Sequence, residues 1–174
     1  MKQSKKILIA NRGVIAIRAL RAARELGYSV ASVYSTIDRD QKHLKLSDEA
    51  ICIGPPETKD SYLNEAAIIS AAELSGADAI YPGFGFLAEN ASFAEKCRES
   101  GFKFIGPDPE VIAIMGDKIK AKELAKSLNI PVVPGYEGEI STENEAIKIV
   151  EEIGYPVIIK ASAGGGGRLS LIHI

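Results

Sequence analysis

An α/β fold built on a doubly wound, mostly parallel sheet is what three features of this sequence predict. Short apolar runs alternate with segments of helical periodicity through the first two thirds of the chain. Glycine or proline punctuates the ends of most of them. The 174 residues are 46% apolar and 25% charged, the make-up of an ordinary globular protein rather than a disordered one.

The elements follow in order. Lys6-Ile7-Leu8-Ile9-Ala10 reads as a buried strand that ends at the turn Asn11-Arg12-Gly13. Val14 to Leu26 has helical periodicity, and Gly27 stops it. Its apolar stripe is expected to include Ile15, Ala19, Ala22 and Leu26, which leaves Arg18, Arg21 and Glu25 on another face. A second strand is expected over Ser29 to Tyr34, followed by a polar loop with Asp38-Arg39-Asp40. Ala50 to Ile53 is the third strand, stopped by Gly54-Pro55-Pro56. Asn64 is placed to cap a helix over Glu65 to Leu74 that Gly76 closes. Ala77 to Tyr81 is the fourth strand and breaks at Pro82-Gly83-Phe84-Gly85. A helix over Asn90 to Ser100 and a strand over Phe102 to Ile105 complete a first domain, residues 1–107.

After Gly106-Pro107 the pattern changes. Two helical segments, Asp108 to Met115 and Lys118 to Leu128, flank a Gly116-Asp117 break. Ile130 to Pro134 reads as extended, residues 135–140 as an acidic Gly-rich loop, and Thr142 to Ile153 as a helix. Pro156 to Ala161 is a β-branched strand carrying Lys160 and running into Ser162-Ala163-Gly164-Gly165-Gly166-Gly167-Arg168. Residues 108–168 therefore read as the start of a second domain, and 169–174 as an atypical tail.

Composition excludes several function classes. With 21 basic and 23 acidic residues the net charge is -2, which argues against non-specific nucleic-acid binding. No apolar run approaches the roughly 18 residues of a membrane span, and the basic start is followed by too short an apolar stretch for a signal peptide. The cytoplasm is the expected location. Cys52 and Cys97 are expected to be buried free thiols rather than a disulfide or zinc site. His43 and His173 lie in polar or terminal contexts, so no nucleophilic triad and no catalytic acid–base pair is singled out.

The glycine run is the most informative local motif. Four glycines in a row let backbone N–H groups converge on anionic oxygens, and Lys160 on the preceding strand could meet the same phosphate. A flexible linker is the alternative, and no Walker A signature follows. Gly83-Phe84-Gly85-Phe86-Leu87-Ala88 matches G-x-G-x-x-A, but at the third βα turn and with an apolar middle. A tight turn at the rim of the ligand crevice, shared with Asn11-Arg12-Gly13, fits it better than a dinucleotide loop. Lys118 stands in the first turn of a helix, where the macrodipole disfavours a cation. It either reaches to a ligand anion or is a solvated surface lysine. The Arg18, Arg21 and Glu25 face is either an interface stripe or a solvated one.

Taken together, these segments resemble the biotin carboxylase family, the carboxylase component of acetyl-CoA, pyruvate and propionyl-CoA carboxylases. The resemblance is carried by Ile9-Ala10-Asn11-Arg12-Gly13, Asp38-Arg39-Asp40 with His43, Ser61-Tyr62-Leu63-Asn64 and Tyr81-Pro82-Gly83-Phe84-Gly85-Phe86-Leu87-Ala88-Glu89-Asn90. It continues through Phe104-Ile105-Gly106-Pro107, Met115-Gly116-Asp117-Lys118 and Gly154-Tyr155-Pro156 to the glycine run. It implies a pre-ATP-grasp domain followed by the opening of an ATP-grasp domain. The implied activity is that of an ATP-dependent ligase, which makes carboxyphosphate from bicarbonate and MgATP and carboxylates biotin on a carrier protein. By residue match, Lys118, Lys160, Gly164, Gly165, Gly166 and Gly167 are implied ATP-binding residues. Gly83, Phe84 and Gly85 line the bicarbonate and biotin side, and Arg18, Arg21 and Glu25 fall at the family's homodimer interface.

Implied partners are a biotin carboxyl carrier protein or domain and a carboxyltransferase component, which chooses the acyl-CoA or keto acid. The family's Mg²⁺ ligands and catalytic groups are expected beyond residue 168, so the 174-residue polypeptide is expected to be inactive alone. A non-catalytic dimerisation module and a fragment of another ATP-grasp ligase are the alternatives. The sequence departs from the family pattern at Val14 (usually Glu), Tyr81 (often His) and Phe84 (often Tyr). It also departs from Leu169 onward, as a frameshift, a vector-derived tail or a cut chain would explain.

Overall fold

A computed structural model describes residues 5–133, 135–136 and 140–157. The described residues fall into two compact units, divided between Ile112 and Ala113.

The first unit is a five-stranded sheet in the order β3-β2-β1-β4-β5, and every neighbouring pair is parallel. Its strands are β1 (Lys6–Ile9), β2 (Ser29–Ser35), β3 (Glu49–Gly54), β4 (Ala79–Tyr81) and β5 (Lys103–Phe104). Between them come α1 (Gly13–Glu25), α2 (Lys42–Leu46), α3 (Glu65–Ser75) and α4 (Ala91–Glu99). β1 is the central strand, with Leu8 opposite Ala31 on one side and Ile80 on the other.

The pleat sends its side chains into two separate cores. Leu8, Ala31, Val33 and Ile80 pack with Ile68, Ala71 and Ala72 of α3 and Phe93 and Cys97 of α4. Ile9 and Val30 face the other way, onto Ala16, Leu20 and Ala23 of α1. Leu8, Ile9 and Ile80 are fully buried, each contributing about 1.5–3 kcal/mol of transfer free energy. Asn64 and Asn90 cap α3 and α4, their side-chain oxygens accepting from the amides of Ala67 at 3.1 Å and Phe93 at 2.9 Å.

Three sequence expectations are corrected. The buried face of α1 is Ala16, Leu20 and Ala23, one residue along from the expected stripe, and Leu26 is 75% exposed. Two apolar stripes overlap on this alanine-rich helix. The one that wins has alanines flanking a single leucine, which lets the helix approach the sheet closely. His43 is fully buried rather than polar in context, because Lys42 to Leu46 forms the short helix α2 instead of a loop. Cys97 is buried as expected, but Cys52 is exposed, since it lies on β3 at the edge of the sheet.

The second unit contains α6 (Lys118–Ser127) and α7 (Glu143–Ile153), with α5 (Pro109–Gly116) leading into it. Asp117 caps α6, its carboxylate accepting from Ile119 N–H at 2.9 Å and Lys120 N–H at 3.1 Å. Thr142 caps α7 by accepting from Glu145 N–H at 3.3 Å. The expected strand over Pro156 to Ala161 and the glycine run lie largely or wholly outside the described residues.

Candidate functional site

In an open parallel sheet the ligand crevice opens at the carboxyl ends of two neighbouring strands whose following helices cover opposite faces. β1 and β4 meet that condition, since α1 packs on one face and α4 on the other. The residues leaving β1 and β4 are Asn11-Arg12-Gly13 and Pro82-Gly83-Phe84-Gly85.

Asn11 ties these two turns together. It is 1% exposed, and its side-chain amide donates to the carbonyls of Pro82 at 2.7 Å and Phe84 at 3.0 Å. Its Oδ1 accepts from Arg12 N–H at 2.8 Å. One buried side chain thus satisfies backbone groups on both sides of the crevice. Gly83 between those carbonyls has φ +71°, and a Cβ there would lie 2.7 Å from Ile15 Cγ2. The crevice rim requires glycine for its backbone angle and for its lack of a side chain. Phe84 projects outward and is 68% exposed.

A second set of contacts reaches the same turn from β2. Asp38, in the 3₁₀ turn that follows β2, is buried. Its Oδ2 accepts from Tyr62 Oη at 2.7 Å, Ser35 Oγ at 2.9 Å and Arg12 Nη1 at 3.1 Å. Burial alone would raise the Asp38 pKa, but these donors and the Arg12 charge outweigh it and hold the carboxyl below its ordinary value. The Tyr62 hydroxyl is pushed up to about 12 by burial and by the adjoining Asp38 carboxylate. The Arg12 guanidinium lies over the rings of Tyr62 and Phe86, 5.3 and 5.6 Å from their centroids. Nearby, buried His43 brings Nε2 to 3.4 Å from the Val33 carbonyl, and its Nδ1 has no hydrogen-bond partner.

The expected site residues are distributed as follows. Gly83, Phe84 and Gly85 come together with Asn11 at the crevice. Arg18, Arg21 and Glu25 are all exposed on α1. Lys118 is exposed in the first turn of α6, in the second unit. Lys160, Gly164, Gly165, Gly166 and Gly167 lie outside the described residues. Asp38 and Tyr62 carry no role in the sequence reading. Their 24-residue separation falls on no helical or strand period, and only the fold brings them together.

Comparison with known proteins agrees with this fold. Residues 3–112 match the family model for the biotin carboxylase N-terminal domain. Residues 117–172 match that for the carbamoyl-phosphate synthase L chain ATP-binding domain. Biotin carboxylase 1 of Bacillus subtilis is 56% identical over 164 residues, covering 94% of this chain and 36% of the relative. Biotin carboxylase of Pseudomonas aeruginosa is 57% identical over the same length and coverage. A crystal structure of a biotin carboxylase–beta-gamma-ATP complex from Campylobacter jejuni superposes with a TM-score of 0.90 at 52% identity, over 94% of this chain and 37% of that one. The biotin carboxylase domain dimer of Hydrogenobacter thermophilus 2-oxoglutarate carboxylase, bound to MgADP and bicarbonate, also gives 0.90, at 49% identity over 97% of this chain and 37% of that one. This polypeptide therefore spans a little over a third of the length of these relatives, and it belongs to the biotin carboxylase N-terminal domain family.

Proposed function

We propose that the chain is the N-terminal portion of a biotin carboxylase, an ATP-dependent ligase that carboxylates carrier-protein biotin with bicarbonate. The observation that carries this reading is the Gly83–Gly85 turn, clamped by Asn11 at the crevice between β1 and β4. That clamp fixes the backbone groups of the turn at the carboxyl ends of the strands, where open α/β sheets receive their ligands. Gly83, Phe84 and Gly85 are the residues assigned to the bicarbonate and biotin side.

Lys118, with Lys160 and the run Gly164, Gly165, Gly166 and Gly167, is assigned to ATP. Lys118 is exposed in the first turn of α6, as a lysine that neutralises a nucleotide phosphate must be. Among the described residues there is no group of three His, Cys, Asp or Glu that could hold a metal ion. The chain alone is inactive in this reading. Its carrier-protein and carboxyltransferase partners act on the whole enzyme, in the cytoplasm. Arg18, Arg21 and Glu25 form part of a homodimer face, and their common exposure on α1 supports this. Among the described residues no helix is long and apolar enough to cross a membrane.

An amide-resolved NMR titration of the chain with MgATP tests the nucleotide assignment. Saturable shifts at Lys118 and Gly164 to Gly167 are expected, and their absence overturns that assignment. The full-length parent should release ADP only with bicarbonate present, faster when biotin is added. Release that depends on neither, or on ammonia instead, points to another ATP-grasp ligase.

A further inference from the structure

We propose that Asp38 is a positioning residue for the Gly83–Gly85 turn, acting through Arg12 and the stacked rings of Tyr62 and Phe86. The proposal deepens the carboxylase reading and rests on it for the role of that turn. Asn11 holds the turn from the β1 side, but its hydrogen bonds end at the Phe84 carbonyl. The next two residues leave the ordinary backbone region, Gly85 at φ +72° and Phe86 at φ +44°. A phenylalanine adopts such an angle only where its surroundings enforce it.

Those surroundings are traceable contact by contact. The Phe86 ring stacks on Tyr62 at a centroid distance of 4.8 Å and an interplanar angle of 15°. Tyr62 cannot slide, because its hydroxyl donates to Asp38 at 2.7 Å while accepting from Ser35 N–H at 3.2 Å. Arg12 spans both rings, and its Nη1 is ion-paired to the same Asp38 oxygen at 3.1 Å. A single carboxylate therefore fixes the two groups that hold Phe86, and its charge strengthens both bonds. Asp38 lies on the β2 side, so the turn is gripped from two strands rather than one. The arrangement sets where the Gly83 to Gly85 amides point without Asp38 approaching a substrate.

The test reads loop order directly in the 174-residue chain. Ala88 N–H donates to Gly85 O at 2.9 Å and Asn90 N–H to Leu87 O at 3.2 Å, so their hydrogen exchange reports on the turn. Ala10 N–H to Tyr81 O and Ile105 N–H to Ile80 O report on the sheet. Asp38→Asn should speed exchange at Ala88 and Asn90 about tenfold, the loss of one charge-assisted bond. Ala10 and Ile105 exchange on global unfolding and should accelerate only by the loss of stability that the urea midpoint reads. Arg12→Lys keeps the charge but cannot cover both rings, and should give the same faster loop exchange if the Asp38 variant does not fold. Unchanged loop exchange overturns the proposal, above all where the sheet amides accelerate and the loop amides do not. In the full-length parent, Arg12→Lys should raise KM for biotin or bicarbonate and leave KM for ATP unchanged. Faster loop exchange in a parent that uses no biotin would sink the carboxylase reading while leaving the positioning role intact.

Discussion

Asn11 and Gly83 sit so close that a Cβ on the glycine would lie 2.9 Å from the Asn11 side-chain nitrogen. That nitrogen is the one donating to Pro82 and Phe84, so bulk at residue 83 pushes directly on the clamp. Gly83→Ala should therefore cost more than strain alone, about 2–4 kcal/mol against about 1–2 kcal/mol for a bare left-handed alanine. Gly85→Ala supplies the control, because φ is +72° there but nothing lies within 4 Å of the new Cβ. Urea midpoints of the two variants should differ in that order. Equal losses would mean that the turn moves aside and that Asn11 does not depend on it.

The Asp38 cluster makes stability pH-dependent in acid. The folded carboxyl holds its proton more weakly than the ordinary aspartate value of 3.8, so the unfolded chain protonates first as pH falls. The stabilisation is fully present above about pH 5 and is lost as pH drops through the lower folded value. Asp48, lowered by the Val30 amide and by Arg24, acts in the same direction. Asp38→Asn should lower the urea midpoint at pH 7 by the equivalent of about 1–3 kcal/mol. The gap between variant and parent should close toward pH 3. A constant gap at every pH would show that shape, not charge, is what Asp38 contributes.

How legible all this was in sequence depends on the range of the cause. The strands of the first unit could be read because each is a short apolar run stopped by glycine, proline or a polar turn. The cap at Asn64 could be read because capping acts within three residues. The buried stripe of α1 could not be chosen from periodicity, since two candidate stripes lie one residue apart and only docking on Ile9 and Val30 decides. His43 was misplaced because a single helical turn among lysines gives no amphipathic signal, although it buries the ring completely. At the site, the glycine turn and its crevice were legible. The Asp38, Tyr62 and Arg12 cluster was not, because hydrogen bonds between residues 24 and 26 apart follow from topology alone.

His43 should add a second, earlier acid transition. Burial outweighs the Val33 carbonyl and the Asp38 charge and lowers its pKa from 6.5, so the ring is neutral when folded. Unfolding exposes an imidazole that protonates more readily, and stability begins to fall as pH drops below about 6.5. The loss continues until pH passes the folded value. With Nδ1 unpartnered, the buried ring gains little from being polar. His43→Leu should therefore flatten the urea midpoint between pH 7 and 5 and leave the steeper fall below pH 4. A slope unchanged between pH 7 and 5 would assign that region to other groups.

The two cysteines should react on different timescales. Cys52 is exposed at the edge of the sheet, within reach of a thiol reagent in the folded chain. Cys97 is fully buried against the β1 face, and burial, helped by the Glu65 charge, pushes its thiol up to about 12. Its reaction requires both exposure and deprotonation, which the folded state supplies only by opening. A disulfide reagent at pH 8 should label one thiol rapidly and the second roughly a thousandfold more slowly, as protection by several kcal/mol of opening free energy implies. Adding urea should bring the slow thiol up to the fast rate, and Cys52→Ser should remove the fast phase alone. Two fast thiols without denaturant would mean that α4 separates from the sheet on the reagent's timescale. The core that places the Gly83–Gly85 turn would then be looser than its packing indicates.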